Sequence, residues 1–171
     1  VVLADGLADP AVADAMADAG TVLYTGGGIV PASLLATRGA SFLHIHPGVL
    51  PHVRGADGLL WSTLVRGRPG RTAFLMTPAL DEGPVFRAED VEPIRFPTGG
   101  GARPDDQALY RAVYSYYDPC LRAELLAGLH EEGALARAPA HADAAAREGP
   151  VFPFMSSALR SAALAELFPV A

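Results

Sequence analysis

"FLHIHPGVLPHVRGADG", residues 42–58, carries three of the five histidines of the chain and passes from an apolar run into a loop rich in Pro and Gly. Phe42, Leu43 and Ile45 make the short apolar stretch expected of a buried strand, which Pro47-Gly48 ends. Side chains alternate along a strand, so His44 and His46 share one face and Ile45 takes the other. Two imidazoles therefore point at one place. The next segment, "GADGLLWSTLVRG" (55–67), reads as a helix closed by Gly67.

The same alternation of apolar runs and helical patterns extends over the first 75 residues. "VVLA" (1–4) and "TVLYTGG" (21–27) read as strands, with a helix over "DPAVADAMADAG" (9–20) between them, opened by Pro10 and stopped by Gly20. Pro31 opens a short helix through Thr37. "RTAFLMTPAL" (71–80) and "GPVFRAEDVEPI" (83–94) read as two further strands around the turn "LDEGP" (80–84). This order predicts an α/β fold: a Rossmann-like, open, mostly parallel sheet flanked by helices. Residues 1–95 form its core, and 96–171 form a loop and a C-terminal helical extension packed on the same domain.

In that extension, "RFPTGGGARPDD" (95–106) reads as an exposed loop. A helix follows from Asp106 to His130, with Tyr110, Val113, Tyr114, Tyr117, Leu121 and Leu125 on an apolar stripe and a kink or restart at Pro119. "ALARAPAHADAAAREGP" (134–150) is a low-complexity connector. The tail ends in a helix capped by Ser156 or Ser157, with Leu159, Ala163, Leu164 and Leu167 on its apolar face.

Composition narrows the function. The 171 residues hold 13 basic and 19 acidic side chains, a net charge of −6 without basic clusters, so no nucleic-acid partner is expected. The single cysteine, Cys120, offers neither a disulfide nor a zinc site and fits a reducing compartment. No apolar run is long enough to span a membrane. A soluble, cytoplasmic protein with no membrane partner is the expectation.

Functional groups of an open parallel sheet gather at the C-terminal ends of its strands. Three stretches are expected there: "TGGG" (25–28), "HIHPG" (44–48) and "LDEGP" (80–84), the last bringing Asp81 beside the two imidazoles. "TGGG" lacks the spacing of a phosphate loop. His52 reads as a solvated loop residue, Trp61, Tyr114 and Tyr117 as core, and His130 and His141 have no ligand spacing. His44, His46 and Asp81 also compose a metal triad, which admits a metal-dependent hydrolase; no fourth ligand or separate base accompanies it, and no metal is expected.

Taken together, "VLYTGGGIVPASLL", "FLHIHPGVLPHVRGADGLLWSTLVRG" and "GRTAFLMTPALDEGPVF" resemble successive blocks of the formyltetrahydrofolate-dependent formyltransferases, which include methionyl-tRNA, glycinamide ribonucleotide and amino-sugar formyltransferases. The resemblance covers about residues 1–95. His46 matches the histidine of the family's Asn-x-His-x-Ser-Leu-Leu-Pro, Val49-Leu50-Pro51 its Leu-Leu-Pro, Arg54-Gly55 its Arg-Gly, and Asp81 with Gly83 its Asp-x-Gly. His44 stands where the family has Asn, and Gly48 where it has Ser. The family's first strand and helix have no counterpart, and the chain begins with Val, which suggests further residues upstream.

The resemblance implies formyl transfer from formyltetrahydrofolate to an amine. Such transfer needs a donor for the oxyanion, an acceptor for the ammonium proton and a proton for the departing nitrogen. His46 would donate to the oxyanion or shuttle the proton, with Asp81 holding it charged or relaying protons. His44 would offer one hydrogen bond in place of the amide. Leu50, Pro51, Leu80 and Gly83 are expected to hold the formyl donor, and Arg54 to fix the loop or meet substrate. A small-molecule amine is the expected acceptor, and a homodimer is among the assemblies allowed. The departures at His44 and Gly48 also admit a binding module that has lost catalysis.

Overall fold

The structure, a computed structural model, describes residues 5–94, 96, 103–137 and 149–169. The expected strand at 1–4, most of the 95–106 loop and most of the 134–150 connector, with His141, lie outside the described residues.

In chain order, α1 (Pro10–Met16) leads to β1 (Gly20–Tyr24), α2 (Ala32–Leu35), β2 (Ala40–His46), β3 (Arg54–Gly55), α3 (Gly58–Arg66), β4 (Gly70–Leu75) and β5 (Val85–Asp90). Then come α4 (Asp106–Ala112), a π-helical turn over Val113–Tyr117, α5 (Asp118–Glu131), β6 (Val151–Phe152) and α6 (Ser157–Leu167). Asp9 caps α1, its carboxylate accepting from the Ala11 amide, and the helix ends at Met16, so Gly20 opens β1 rather than closing α1.

Four strands form the main sheet in the order β1-β2-β4-β5. β1 pairs with β2 in parallel, whereas β2 with β4 and β4 with β5 are antiparallel. The sheet is thus mixed, not mostly parallel. Between Leu75 and Val85 the connection is too short for a crossover, which takes a dozen or more residues, so it can only turn back. The longer link through α3 could have crossed over. Instead, Leu59 and Leu60 of α3 pack into a cluster with Val113, Leu121, Leu164 and Leu167, which ties α3 to the C-terminal helices.

β2 is the spine of the sheet. Leu43 and Ile45 lie under Leu125 and Leu129 of α5 on one face. On the other, Phe42 packs with Val30 and Leu34. Each apolar side chain buried this deeply contributes about 1.5–3 kcal/mol. The alternation of β2 therefore turns its histidines away from α5.

The long helix restarts at Pro119. Lacking an N–H, Pro119 cannot bond to the carbonyl four residues back, and the turn just ahead of it widens so that the Asp118 amide bonds to the Val113 carbonyl. Ser156 caps α6 by accepting from the Leu159 amide, and Ala163, Leu164 and Leu167 are buried, while Leu159 is exposed. Trp61 donates from its indole to the Pro153 carbonyl at 2.8 Å and packs on Phe152, which holds β6 beside β3.

Candidate active site

The antiparallel run of β4 alters how the site is assembled. Leu75, at the C-terminal end of β4, lies beside Leu43 rather than beside His46. Asp81 therefore reaches the histidines from a loop that folds back from β4, not from a neighbouring strand end. Arg54 pins that loop. Buried to 6% exposure, it donates from Nε and Nη2 to the Leu80 carbonyl (3.2 and 2.7 Å), from Nη2 to the Glu82 carboxylate (2.6 Å) and from Nη1 to the Gly149 carbonyl (3.3 Å). The next amide, Gly55 N–H, donates to Asp81 Oδ2 at 2.6 Å. Asp81 itself sits at φ +47°, a left-handed conformation that Asp tolerates better than most residues.

These contacts leave the other Asp81 oxygen 3.7 Å from His46 Nδ1, an ion-pair distance longer than a hydrogen bond. The second ring nitrogen of His46, Nε2, donates to the Val53 carbonyl at 2.9 Å. Gly48 explains how this fits. A Cβ there would lie 2.9 Å from both His46 Nε2 and the Val53 carbonyl oxygen, so the lack of a side chain at Gly48 makes room for that bond. Burial holds the His46 imidazole below the usual histidine range, against the opposing pull of the Asp81 carboxylate and the Val53 carbonyl. The expectation that Asp81 raises His46 holds only as one contribution: the net direction is downward.

His44 lies two residues back on the same face, its ring 5.8 Å from that of Tyr24 and 5.9 Å from that of Phe74. Its Nδ1 donates to the Tyr24 carbonyl at 2.9 Å. Burial lowers its pKa as well, with the Tyr24 carbonyl and then Asp81 acting in the opposite sense.

The remaining expected site residues separate. Leu50 is buried against Phe74 and Val85. Its amide and the Gly48 carbonyl are clamped by the Thr72 hydroxyl, which accepts from the first at 3.0 Å and donates to the second at 2.6 Å. Pro51 is half-buried, and Leu80 is 49% exposed on the loop. Gly83 adopts φ +141°, and a Cβ would collide with the Leu75 carbonyl, so only glycine closes the loop against β4. His52 and His130 are exposed. Thr25 and the three glycines after it are likewise exposed, and Tyr114 and Tyr117 pack with the α3 cluster.

Sequence reasoning missed Asp57. It precedes α3 where a capping residue belongs, yet its buried carboxylate accepts instead from the Tyr110 hydroxyl and the Met155 amide, both at 2.8 Å. An Asp before a helical pattern is a visible signal; that it serves α4 and the segment before α6 is not. Glu82, inside the "LDEGP" turn, went unremarked for its partner Arg54.

No family model matches the chain. A methionyl-tRNA formyltransferase of Sulfurimonas denitrificans is 35% identical over 68 residues, which are 39% of this chain and 22% of that protein. The chain thus matches under a quarter of the length of that relative. Among solved structures, a methionyl-tRNA formyltransferase from Clostridium thermocellum superposes with a TM-score of 0.53 over 84% of this chain and 58% of its own, at 14% identity. A sugar N-formyltransferase from a Shewanella species superposes with a TM-score of 0.51 over 86% of this chain and 58% of its own, at 16% identity. This chain thus shares the fold of solved formyltransferases, and a stretch of 68 residues is similar in sequence to a methionyl-tRNA formyltransferase.

Proposed function

We propose that the chain carries the site of an enzyme that moves a formyl group from formyltetrahydrofolate, its donor substrate, to an amine of a small molecule. The observation that carries this reading is the meeting of His46 and Asp81, brought together by a loop that Arg54 and Gly55 hold, on a formyltransferase fold.

The loop offers part of what such a donor needs. Leu80 is 49% exposed on the loop that carries Asp81, and Pro51 is half-buried, so both offer apolar surface to the face of a flat heterocycle. Leu50 packs on Phe74 and Val85, and Gly83 closes the loop against Leu75. The bound donor supplies an electrophilic formyl carbon. The chain's own part is to keep the amine unprotonated and to move protons away from it. His46 and Asp81 form a sheltered pair in which the carboxylate charge faces Nδ1 across 3.7 Å, which suits steadying a proton on the ring more than direct contact with the oxyanion.

A small amine is favoured by the net charge of −6 and by the pairing of Arg54, Arg66, Arg71 and Arg87 with carboxylates, which uses up positive charge a polyanion would need. A tRNA acceptor is the second reading, and the relative of Sulfurimonas denitrificans is what favours it. Among the described residues no group of three His, Cys, Asp or Glu could hold a metal ion, so the hydrolase reading draws no support. No described helix is long and apolar enough to cross a membrane. The exposed, free Cys120 suits the reducing cytoplasm.

Calorimetric titration with 5-formyltetrahydrofolate tests the donor site. Binding is expected, and Leu80→Asp, a change at an exposed position, should weaken it about tenfold. No binding by the unaltered chain would contradict the reading.

A further inference from the structure

We propose that His44 is the proton acceptor for the attacking amine: its Nε2 lone pair takes a proton from an aliphatic primary ammonium, and the ring gives no hydrogen bond to the oxyanion. The inference rests on the formyl-transfer reading above.

The partner of His44 Nδ1 is the Tyr24 main-chain carbonyl, 2.9 Å away. A carbonyl oxygen can only accept, so Nδ1 carries the hydrogen and a neutral ring leaves its lone pair on Nε2. Strand pairing enforces this, because Tyr24 of β1 and His44 of β2 are register partners. No described residue bonds His44 Nε2, and the ring is only half-buried between Tyr24 and Phe74.

His46 has the opposite commitment. Its Nε2 carries the hydrogen given to Val53, its Nδ1 faces Asp81, and the residue is 2% exposed. Of the two imidazoles, His44 is the more exposed, and its lone-pair nitrogen has no hydrogen-bond partner among the described residues. The charged groups around it come from several elements. Asp81 on the loop and Asp118 on α5 draw a proton toward it, Arg122 on α5 opposes them, and burial outweighs the carboxylates, so the balance favours the neutral ring.

An Asn in this place has no basic lone pair. A His here supplies a base where an amide would supply only hydrogen bonds, which serves an acceptor that arrives protonated. That suits aliphatic primary amines, which are charged at pH 7, whereas aromatic amines and amides are neutral there. In the step, the ammonium gives one proton to Nε2, and the amine nitrogen then bonds the formyl carbon as the bond from that carbon to the folate nitrogen breaks. The amine nitrogen sheds a second proton, one proton goes to the departing nitrogen, and His44 returns its proton to solvent. One proton is released per turnover.

Two measurements test this. A 15N-resolved titration of the ring nitrogens of the labelled chain should find His44 neutral at pH 7 with the hydrogen on Nδ1; a hydrogen on Nε2, or a charged ring, overturns the proposal. Transfer from formyltetrahydrofolate to glucosamine should fall about a hundredfold at pH 7 in His44→Asn. That gap should close above the pKa of the amine, where no base is needed. A variant as fast as the unaltered chain, or a gap independent of pH, overturns the inference alone. No transfer by either protein, with binding of the donor also absent, removes the formyl-transfer reading and this inference with it.

Discussion

His46 Nδ1 and Asp81 Oδ1 stand 3.7 Å apart, while the second oxygen of the same carboxylate is held at 2.6 Å by the Gly55 amide. Asp81 therefore has a structural half and a charged half, which substitution can separate. Asp81→Asn keeps an oxygen for Gly55 and tolerates the left-handed backbone, yet removes the charge facing His46. It should leave thermal stability close to that of the unaltered chain and lower transfer by about 10²- to 10⁴-fold. Asp81→Ala should lose both activity and stability. Melting curves measured alongside rates distinguish the two variants.

The close packing of Gly48 on His46 gives a prediction of its own. A serine introduced in Gly48→Ser puts a Cβ 2.9 Å from both His46 Nε2 and the Val53 carbonyl oxygen. The overpacking should cost about 1–3 kcal/mol. In a chain of this size that lowers Tm by roughly 2–4 °C for each kcal/mol, which calorimetry would register.

The features that pointed to this site were local. Alternation in 42–46 placed both histidines on one face of β2, and the apolar residues beside them marked the strand as buried, because a strand's period is written in adjacent residues. The direction of β4 was not legible. Whether a helix-bearing link crosses over depends on what the helix packs against, and Leu59 and Leu60 found their partners on the C-terminal helices. The pairing of Arg54–Gly55 with Val151–Phe152 was equally hidden, since two residues carry no pattern. The ring tautomers depended on the carbonyls of Tyr24 and Val53, and main-chain groups leave no trace in residue type.

Arg54 binds three separate backbone or side-chain partners from a position 6% exposed, so its loss leaves the Leu80 and Gly149 carbonyls and the Glu82 carboxylate without it. Arg54→Ala should cost about 3–5 kcal/mol. Glu82→Gln, whose carboxylate is more exposed, should cost far less. Urea unfolding of both variants checks the order.

Stability should also depend on pH. His44 and His46 are both held below 6.5 in the fold, so the unfolded chain binds more protons than the folded one as the pH falls through about 6.5. Unfolding is then favoured by acid, and the loss levels off below the folded-state pKa values. Each histidine contributes about 1.4 kcal/mol per pKa unit of displacement. Urea midpoints should drop between pH 7.5 and 5.5, and His44→Asn should shrink that drop.

Formyl transfer itself is measured directly with formyltetrahydrofolate labelled with 13C in the formyl group. Incubated with the chain and glucosamine, it should yield a 13C formamide signal that grows with protein concentration and is strongly reduced with Asp81→Asn. A signal no faster than in the protein-free control, from a chain that remains folded, would contradict the account.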